Sequence, residues 1–259
     1  MPDREAVRTL PDDLIFGRNP VIEALKSGRS LNRIFLMKDS HFPRALMELA
    51  ETARNEQGTV ILEAEREFLD RLTGMQVHQG VAAYVSPISY VTVEEILDRA
   101  EQLKEAPLLL ILDGIEDPHN LGAILRTAEC MGVHGVVIPK RRAAAISSTV
   151  AKVSAGAVEH VPVARVANLS QTISFLKSKN VWVAGTSSGA GESLYKTRLD
   201  MPLALVIGGE GTGVAKLVAE NCDFLMHIPL SGKISSLNAS AAAAIIIYEA
   251  VRQRSAGKD

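Results

Sequence analysis

Apolar positions fall into two regimes along this chain. In the first, short apolar runs alternate with helical stripes: residues 33–37, 59–62 and 80–85 predict strands, and residues 21–27, 43–55 and 64–72 predict helices. The helix over 43–55 carries Ala45, Leu46, Leu49, Ala50 and Ala53 on one stripe. Asn19 ahead of Pro20 is the expected N-cap of the helix over 21–27. In the second regime, strands are expected at 108–112, 135–138, 160–163, 181–185, 203–207 and 224–228. Helices are expected between and after them, at 121–131, 147–155, 169–179, 214–220 and 238–254. Leu108 to Leu112 are apolar at every position, as in a strand buried on both faces. The alternation predicts a parallel α/β sheet covered by helices on both sides.

The regimes meet in a charged stretch. Pro87 ends the last early strand, residues 93–106 form an amphipathic connecting helix, and Pro107 precedes the first fully apolar strand. The expected organisation is therefore a tail over 1–11, a small α/β domain over 12–86, a linker over 87–106 and a larger α/β domain over 107–259.

Composition changes this picture little. The 259 residues are 47% hydrophobic and 22% charged, ordinary for a globular protein, and the formal net charge of -2 does not by itself advertise a nucleic-acid partner. Locally, Arg18, Lys26, Arg29, Arg33, Lys38 and Arg44 face only Glu23 and Asp39 between residues 18 and 44, and Lys140-Arg141-Arg142 is a second basic run. His78, in the loop before the strand over 80–85, either touches such a partner or serves the loop itself. Cys130 and Cys222 are the only cysteines and have neither metal-ligand nor disulfide-framework spacing, which fits a reducing, cytoplasmic setting without a metal. No segment approaches the ~18 apolar residues of a membrane span.

Candidate chemistry lies where strands end. The strand over 203–207 runs into Gly208-Gly209-Glu210-Gly211-Thr212-Gly213. The spacing is neither that of a dinucleotide fingerprint, since Val214 stands at the third glycine position, nor that of a P-loop, since no Lys-Ser/Thr follows. Glu210 would repel a pyrophosphate, so the loop suits a ligand that is neutral or cationic nearby, and a nicotinamide dehydrogenase is disfavoured. A second loop, residues 230–237, follows the strand over 224–228 and Pro229 and ends where Asn238 opens an alanine-rich helix. After the strand over 108–112 comes Asp113-Gly-Ile-Glu-Asp-Pro-His-Asn120-Leu-Gly-Ala-Ile-Leu-Arg126-Thr-Ala128. On spacing alone, Asn120 serves as a helix N-cap and Arg126 can pair with Glu129.

Together, D-x-x-x-D-P-x-N-x-G-A-I-x-R-T-A, strand–GGEGTG and I-P-L…S-S-L-N-A-S closely resemble the three motifs of the SpoU branch of the SPOUT RNA methyltransferases, over about residues 107–255. Ile15-Phe-Gly-Arg-Asn-Pro20 and Gln79-Gly-Val-Ala-Ala83 resemble the L30e-like substrate-binding domain that precedes this fold in rRNA-modifying members. The likeness is greatest to bacterial 23S rRNA guanosine-2′-O-methyltransferases. It implies a deep trefoil knot in the C-terminal domain, S-adenosyl-L-methionine bound in it, and a homodimer packed through that domain. It assigns cofactor binding to Gly208, Ile228 and Leu237, with Gly209 and Thr186 beside them. It assigns catalysis to Asn120, Arg126, Glu210, Ser236 and Asn238. Arginine rarely gives up its proton, so for Arg126 a phosphate grip is favoured over a base. Arg18, Arg29, Arg33 and Lys38 would hold rRNA. A tRNA ribose methyltransferase is the alternative, though tRNA enzymes of this branch commonly lack the small domain; a non-catalytic RNA-binding or ribosome-assembly protein is another. Ala239 stands where relatives often carry valine, a change that removes methyl groups and no chemistry.

Overall fold

The computed structural model describes residue 11 and residues 13–187 and 191–256; apart from Pro11, the expected tail lies outside the described residues. The chain divides into two units, Met1–Ile88 with Ile146–Glu159, and Ser89–Ala145 with His160–Asp259.

The first unit holds a four-stranded sheet of β1 (Leu14–Phe16), β2 (Leu31–Met37), β3 (Val60–Ala64) and β4 (Val81–Val85) in the order β1-β4-β2-β3. Only β2 and β3 pair in parallel. Helices α1 (Arg18–Lys26), α2 (Arg44–Gln57) and α3 (Arg66–Leu72) accompany it. Strand β1 was not expected: three consecutive buried apolar residues are too few to show a period. It also moves the start of α1. Gly17, at φ 96, takes the N-cap position that Asn19 was expected to hold, and Asn19 lies inside the first turn.

A second difference concerns α6 (Ser148–Val153) and the 3-10 turn Ala157–Glu159, which belong to the first unit rather than to the domain expected over 107–259. Arg29 explains the attachment. Its Nη1 lies 2.6 Å from Glu159 Oε1, and the two side chains are 10% and 4% exposed. Lys152 stands over the Phe16 ring, 4.5 Å from its centroid. At Gly156 (φ 92) a Cβ would stand 2.5 Å from Glu23 Cβ, so only glycine fits that approach. With this segment drawn away, the strand expected at 160–163 forms later, as β7 (Val163–Val166), beyond Pro162, which has no N–H to give a ladder.

In the second unit β5 (Leu108–Asp113), β6 (Gly135–Pro139), β7, β8 (Trp182–Thr186), β9 (Glu192–Ser193), β10 (Leu203–Gly208) and β11 (Phe224–His227) form one sheet among the described residues, in the order β7-β6-β5-β10-β8-β11-β9. Every pair in it is parallel, as the pattern predicted. The strands are legible because Leu108–Leu112 and Leu203–Ile207 are apolar and buried throughout. Helices α4 (Val93–Gln102), α5 (Pro118–Cys130), α7 (Leu169–Ser178), α8 (Lys216–Asn221) and α9 (Ala239–Ala256) belong to this unit. The expected linker thus contributes α4 to it, through buried Val93, Ile96 and Ala100. Parallel pairing puts all the strand C-termini on one edge, where α/β sheets bind ligands.

Two predictions follow from buried charge. Removing one partner of a buried ion pair strands the other, at a cost of about 3–5 kcal/mol. Arg29→Met is therefore expected to lower the urea midpoint of the first unit, and the double variant Arg29→Met/Glu159→Leu to recover much of the loss. His134 is 2% exposed and its Nδ1 accepts the Leu108 N–H at 3.0 Å. Burial holds its pKa below the ordinary value, opposed in part by Glu105. A depressed pKa contributes stability that is present above the ordinary value, about 6.5, and is lost as pH falls toward the folded value. Melting temperature is expected to drop on acidification from pH 7 to 5, and His134→Asn, which still offers an acceptor, to flatten that drop.

Candidate active site

The edge of the second unit is organised by Asp113, the last residue of β5. Its carbonyl accepts the Gly209 N–H at 2.8 Å, and its Oδ2 accepts the Ala215 N–H at 2.7 Å. One residue thus holds both ends of the loop after β10. The loop closes on itself through Gly213 N–H to Gly209 O at 2.9 Å, with Gly211 and Gly213 at φ 79 and 64. A Cβ on Gly209 would overlap the Gly114 carbonyl, and one on Gly208 the Gly213–Val214 backbone. These glycines bring two loops into contact. Asp113 was not among the expected site residues; its signal was the Asp-Gly step closing an apolar strand.

Helix α5 begins at Pro118 rather than Leu121. Asp117 is its N-cap, accepting the His119 N–H at 2.9 Å, with Pro118 in the first turn. Asn120 is therefore not the cap expected of it, and its side chain is free for other partners. Its Nδ2 donates to Glu210 Oε1 at 3.1 Å, and its Oδ1 accepts from Asn238 Nδ2 at 2.9 Å. Asn238 Nδ2 also donates to Glu210 Oε1, at 2.5 Å. Three residues spread over 118 positions close a triangle. Asn238 caps α9 as well, its Oδ1 accepting from Ser240 N at 3.0 Å and Ala241 N at 3.2 Å.

Arg126 and Ser236 make no hydrogen bond to this triangle. Both are exposed, and among the described residues Arg126 has no ion pair with Glu129 or any other acid. Asn120 and Arg126 leave α5 roughly 120° apart around the axis and ~9 Å apart along it. Arg126 thus keeps all five donors of its guanidinium available.

Thr186, Gly208 and Ile228 lie at or just beyond the C-terminal ends of β8, β10 and β11, neighbours in the sheet. From Ile228 to Leu237 no main-chain group has a hydrogen-bond partner among the described residues. Free backbone donors and acceptors, beside strand ends and glycines, suit a ligand read through main-chain atoms. An adenosine carrying a cationic sulfonium fits this donor set, and Glu210 offers the only side-chain carboxylate between residues 203 and 219.

In the first unit the expected cations diverge. Arg29 lies inside the fold, its Nε donating to Ser86 O at 2.6 Å besides pairing with Glu159. Arg18 is fixed by bonds to Gln79 O at 3.3 Å and His41 O at 3.1 Å, and lines a cavity of about 640 Å³ with Arg66, His78 and Gln79. Lys38 pairs with Glu65 at 2.6 Å on the surface, which raises its pKa. Arg33 is exposed, with no ion pair among the described residues. His78 serves the loop: its Nε2 lies 3.1 Å from Asp70 Oδ1 and its Nδ1 accepts the Gly80 N–H at 3.0 Å.

Comparison with known proteins points to one family. Residues 107–248 match the SpoU rRNA methylase family, and residues 14–91 match the substrate-binding domain of RNA 2′-O ribose methyltransferases. A Bacillus subtilis (strain 168) protein named for the TrmH family of tRNA/rRNA methyltransferases is 47% identical over 242 residues, 93% of this chain and 96% of its own. The SpoU methyltransferase AviRb from Streptomyces viridochromogenes, solved with the cofactor AdoMet, superposes with a TM-score of 0.78 at 26% identity, over 93% of this chain and 89% of that one. The TrmH/SpoU tRNA-modifying enzyme of A. aeolicus covers 63% of this chain and 86% of its own, with a TM-score of 0.55 and 26% identity.

The contact of Gly209 with Gly114 makes a specific demand. Gly209→Ala is expected to destabilise the second unit by about 1–3 kcal/mol through overpacking, read as a lower denaturant midpoint, whereas an alanine at Gly232, with nothing within 4 Å and no left-handed backbone, meets no such obstacle.

Proposed function

This chain belongs to the SpoU rRNA methylase family, S-adenosylmethionine-dependent RNA methyltransferases, and from that premise we propose that it methylates a ribose 2′-hydroxyl of ribosomal RNA, at a guanosine of 23S rRNA. The observation that carries this reading is the triangle of Asn120, Glu210 and Asn238, which joins all three motif segments at the edge of one sheet. S-adenosylmethionine supplies an electrophilic methyl group on sulfur when bound.

The chain's own residues then have to hold the ribose. A hydroxyl is a weak nucleophile, so orientation and removal of its proton govern the rate. Asn120 keeps one amide hydrogen and Glu210 keeps Oε2 outside the triangle, a donor and an acceptor side by side for a hydroxyl. Arg126 grips a phosphate near the target with its planar fork, and Ser236 adds a hydroxyl from the loop before α9. Main-chain groups at Gly208, Ile228 and Leu237 would hold the cofactor, with Thr186 beside them, while Gly209, whose N–H and carbonyl are engaged with Asp113 and Gly213, would supply room rather than hydrogen bonds.

Ribosomal rather than transfer RNA is favoured by the first unit. The tRNA-modifying neighbour covers 63% of this chain, while the match to a dedicated substrate-binding domain spans residues 14–91. Arg18, Arg33 and Lys38 would hold distant RNA there; an exposed ion pair such as Lys38–Glu65 is weak enough to yield to a phosphate. The knot and the homodimer belong to the same reading. For the homodimer the support is α9, which keeps Ile245 and Tyr248 exposed.

The test is a map of 2′-O-methyl marks on 23S rRNA from cells with and without the gene, beside calorimetry with S-adenosylhomocysteine. One guanosine mark should vanish with the gene; a mark lost from tRNA instead would overturn the proposal. Asn120→Ala and Arg126→Ala are expected to lower kcat by roughly 100-fold or more with S-adenosylhomocysteine affinity retained. Wild-type turnover in both would remove these two residues from the site.

A further inference from the structure

Lys140, Arg141 and Arg142 are exposed where the chain leaves β6, and among the described residues none has an acidic partner. Their loop is held on both sides. Lys140 N–H donates to Val166 O at 2.8 Å, and Lys140 O accepts from Arg165 Nη2 at 3.2 Å. Ala144 N–H donates to Ile115 O at 2.8 Å, in the very loop that leads from β5 to Asn120. Strand β6 pairs with β5, and β5 with β10, which delivers Glu210. Neighbouring strands lie about 4.8 Å apart, so the strand that carries the basic loop at its end stands two strand spacings from the one that delivers Glu210. Three cations on successive residues span at most about 7 Å of backbone, and their long side chains can reach neighbouring phosphates of one strand. Arg142 holds φ 56, a conformation uncommon outside glycine and asparagine, so the loop keeps arginine there against a backbone preference.

We infer that Lys140, Arg141 and Arg142 hold the phosphates of the RNA segment immediately flanking the methylated nucleotide, on the β6 side of the site. This rests on the proposed action on an RNA ribose. It separates local alignment of the substrate strand, done by this loop, from distant holding by the first unit. The pinned backbone makes it an alignment device: phosphates seated there fix where the next ribose can lie.

The experiment compares the wild-type chain with Lys140→Gln/Arg141→Gln/Arg142→Asn, asparagine being tolerated at positive φ. The probe is an unmodified 23S rRNA transcript, with filter binding measured over a range of salt. Each phosphate neutralised on single-stranded RNA contributes about 0.7 to the slope of log affinity against log salt. The expected result is a slope shallower by about 2 and affinity at least tenfold weaker at low salt, with S-adenosylhomocysteine binding retained as evidence of folding. If the triple variant loses cofactor binding, Arg141→Gln alone should still flatten the slope by about 0.7. A wild-type slope in the variants overturns the inference. A wild-type chain that shows the steep slope yet transfers no methyl to rRNA overturns the proposed function instead and leaves the phosphate contacts standing.

Discussion

The loops after β5 and β10 meet because their backbones come within hydrogen-bonding reach, and that approach is enforced by Asp113 against Gly209. The Asp113 carbonyl takes the Gly209 N–H, and its carboxylate takes the Ala215 N–H beyond the glycine loop. The β5 and β10 edges are thereby fixed in register past the point where ladder hydrogen bonds end. Any side chain at 209 would wedge them apart. Everything chemical about the edge follows, because Glu210 is placed by its neighbour and Asn120 lies one turn into the helix that the β5 loop launches. A carboxylate at a strand end would ordinarily be solvated; here it is consumed in positioning.

Asn238 shows how tightly stability and chemistry are joined. Its oxygen caps α9 and its nitrogen closes the triangle. An N-cap is worth about 1 kcal/mol, so a change at 238 mixes a frayed helix with a lost site contact. Asn120 carries no capping duty, since Asp117 has taken it, and reports on the site alone. Such sharing also explains why a helix so rich in alanine begins with a polar residue at a fixed place: the helix start is anchored across to two other segments, and α9 packs on α5 from that anchor onward.

How much of this was legible follows from how far each signal reaches along the chain. Strands such as Leu108–Asp113 and Leu203–Gly208 announce themselves, since burial on both faces demands an unbroken apolar run. Strands β1 and β9, of three and two residues, carry too little pattern. The N-cap of α5 was misplaced because Asp117 and Asn120 are both good caps, and only Pro118 between them chooses. Arg29 was read as surface charge because its acid is 130 residues away, in a segment whose own pattern looks like one more crossover helix. The triangle is likewise beyond spacing arguments: residues 120, 210 and 238 share no period. Resemblance to a family supplied the grouping, and local physics alone supplied its parts. Asp113 escaped even so, since its work is done through hydrogen bonds to backbone that sequence pattern does not display.

Charge completes the account, because the net value of -2 conceals an uneven distribution. In the first unit Lys26, Lys38, Arg44 and Arg29 each stand against a glutamate within 2.9 Å. Their fields cancel at short range, and at physiological salt anything left decays over about 8 Å. Among the described residues Arg126 and the Lys140–Arg142 loop have no such partners, and they belong to α5 and to the segment after β6, two elements in contact with one another. Screening makes location decide: an uncompensated cation acts on a phosphate only within about a Debye length. A protein that is close to neutral overall can in this way keep its attraction for a polyanion local, confined to the segments whose cations no acid compensates.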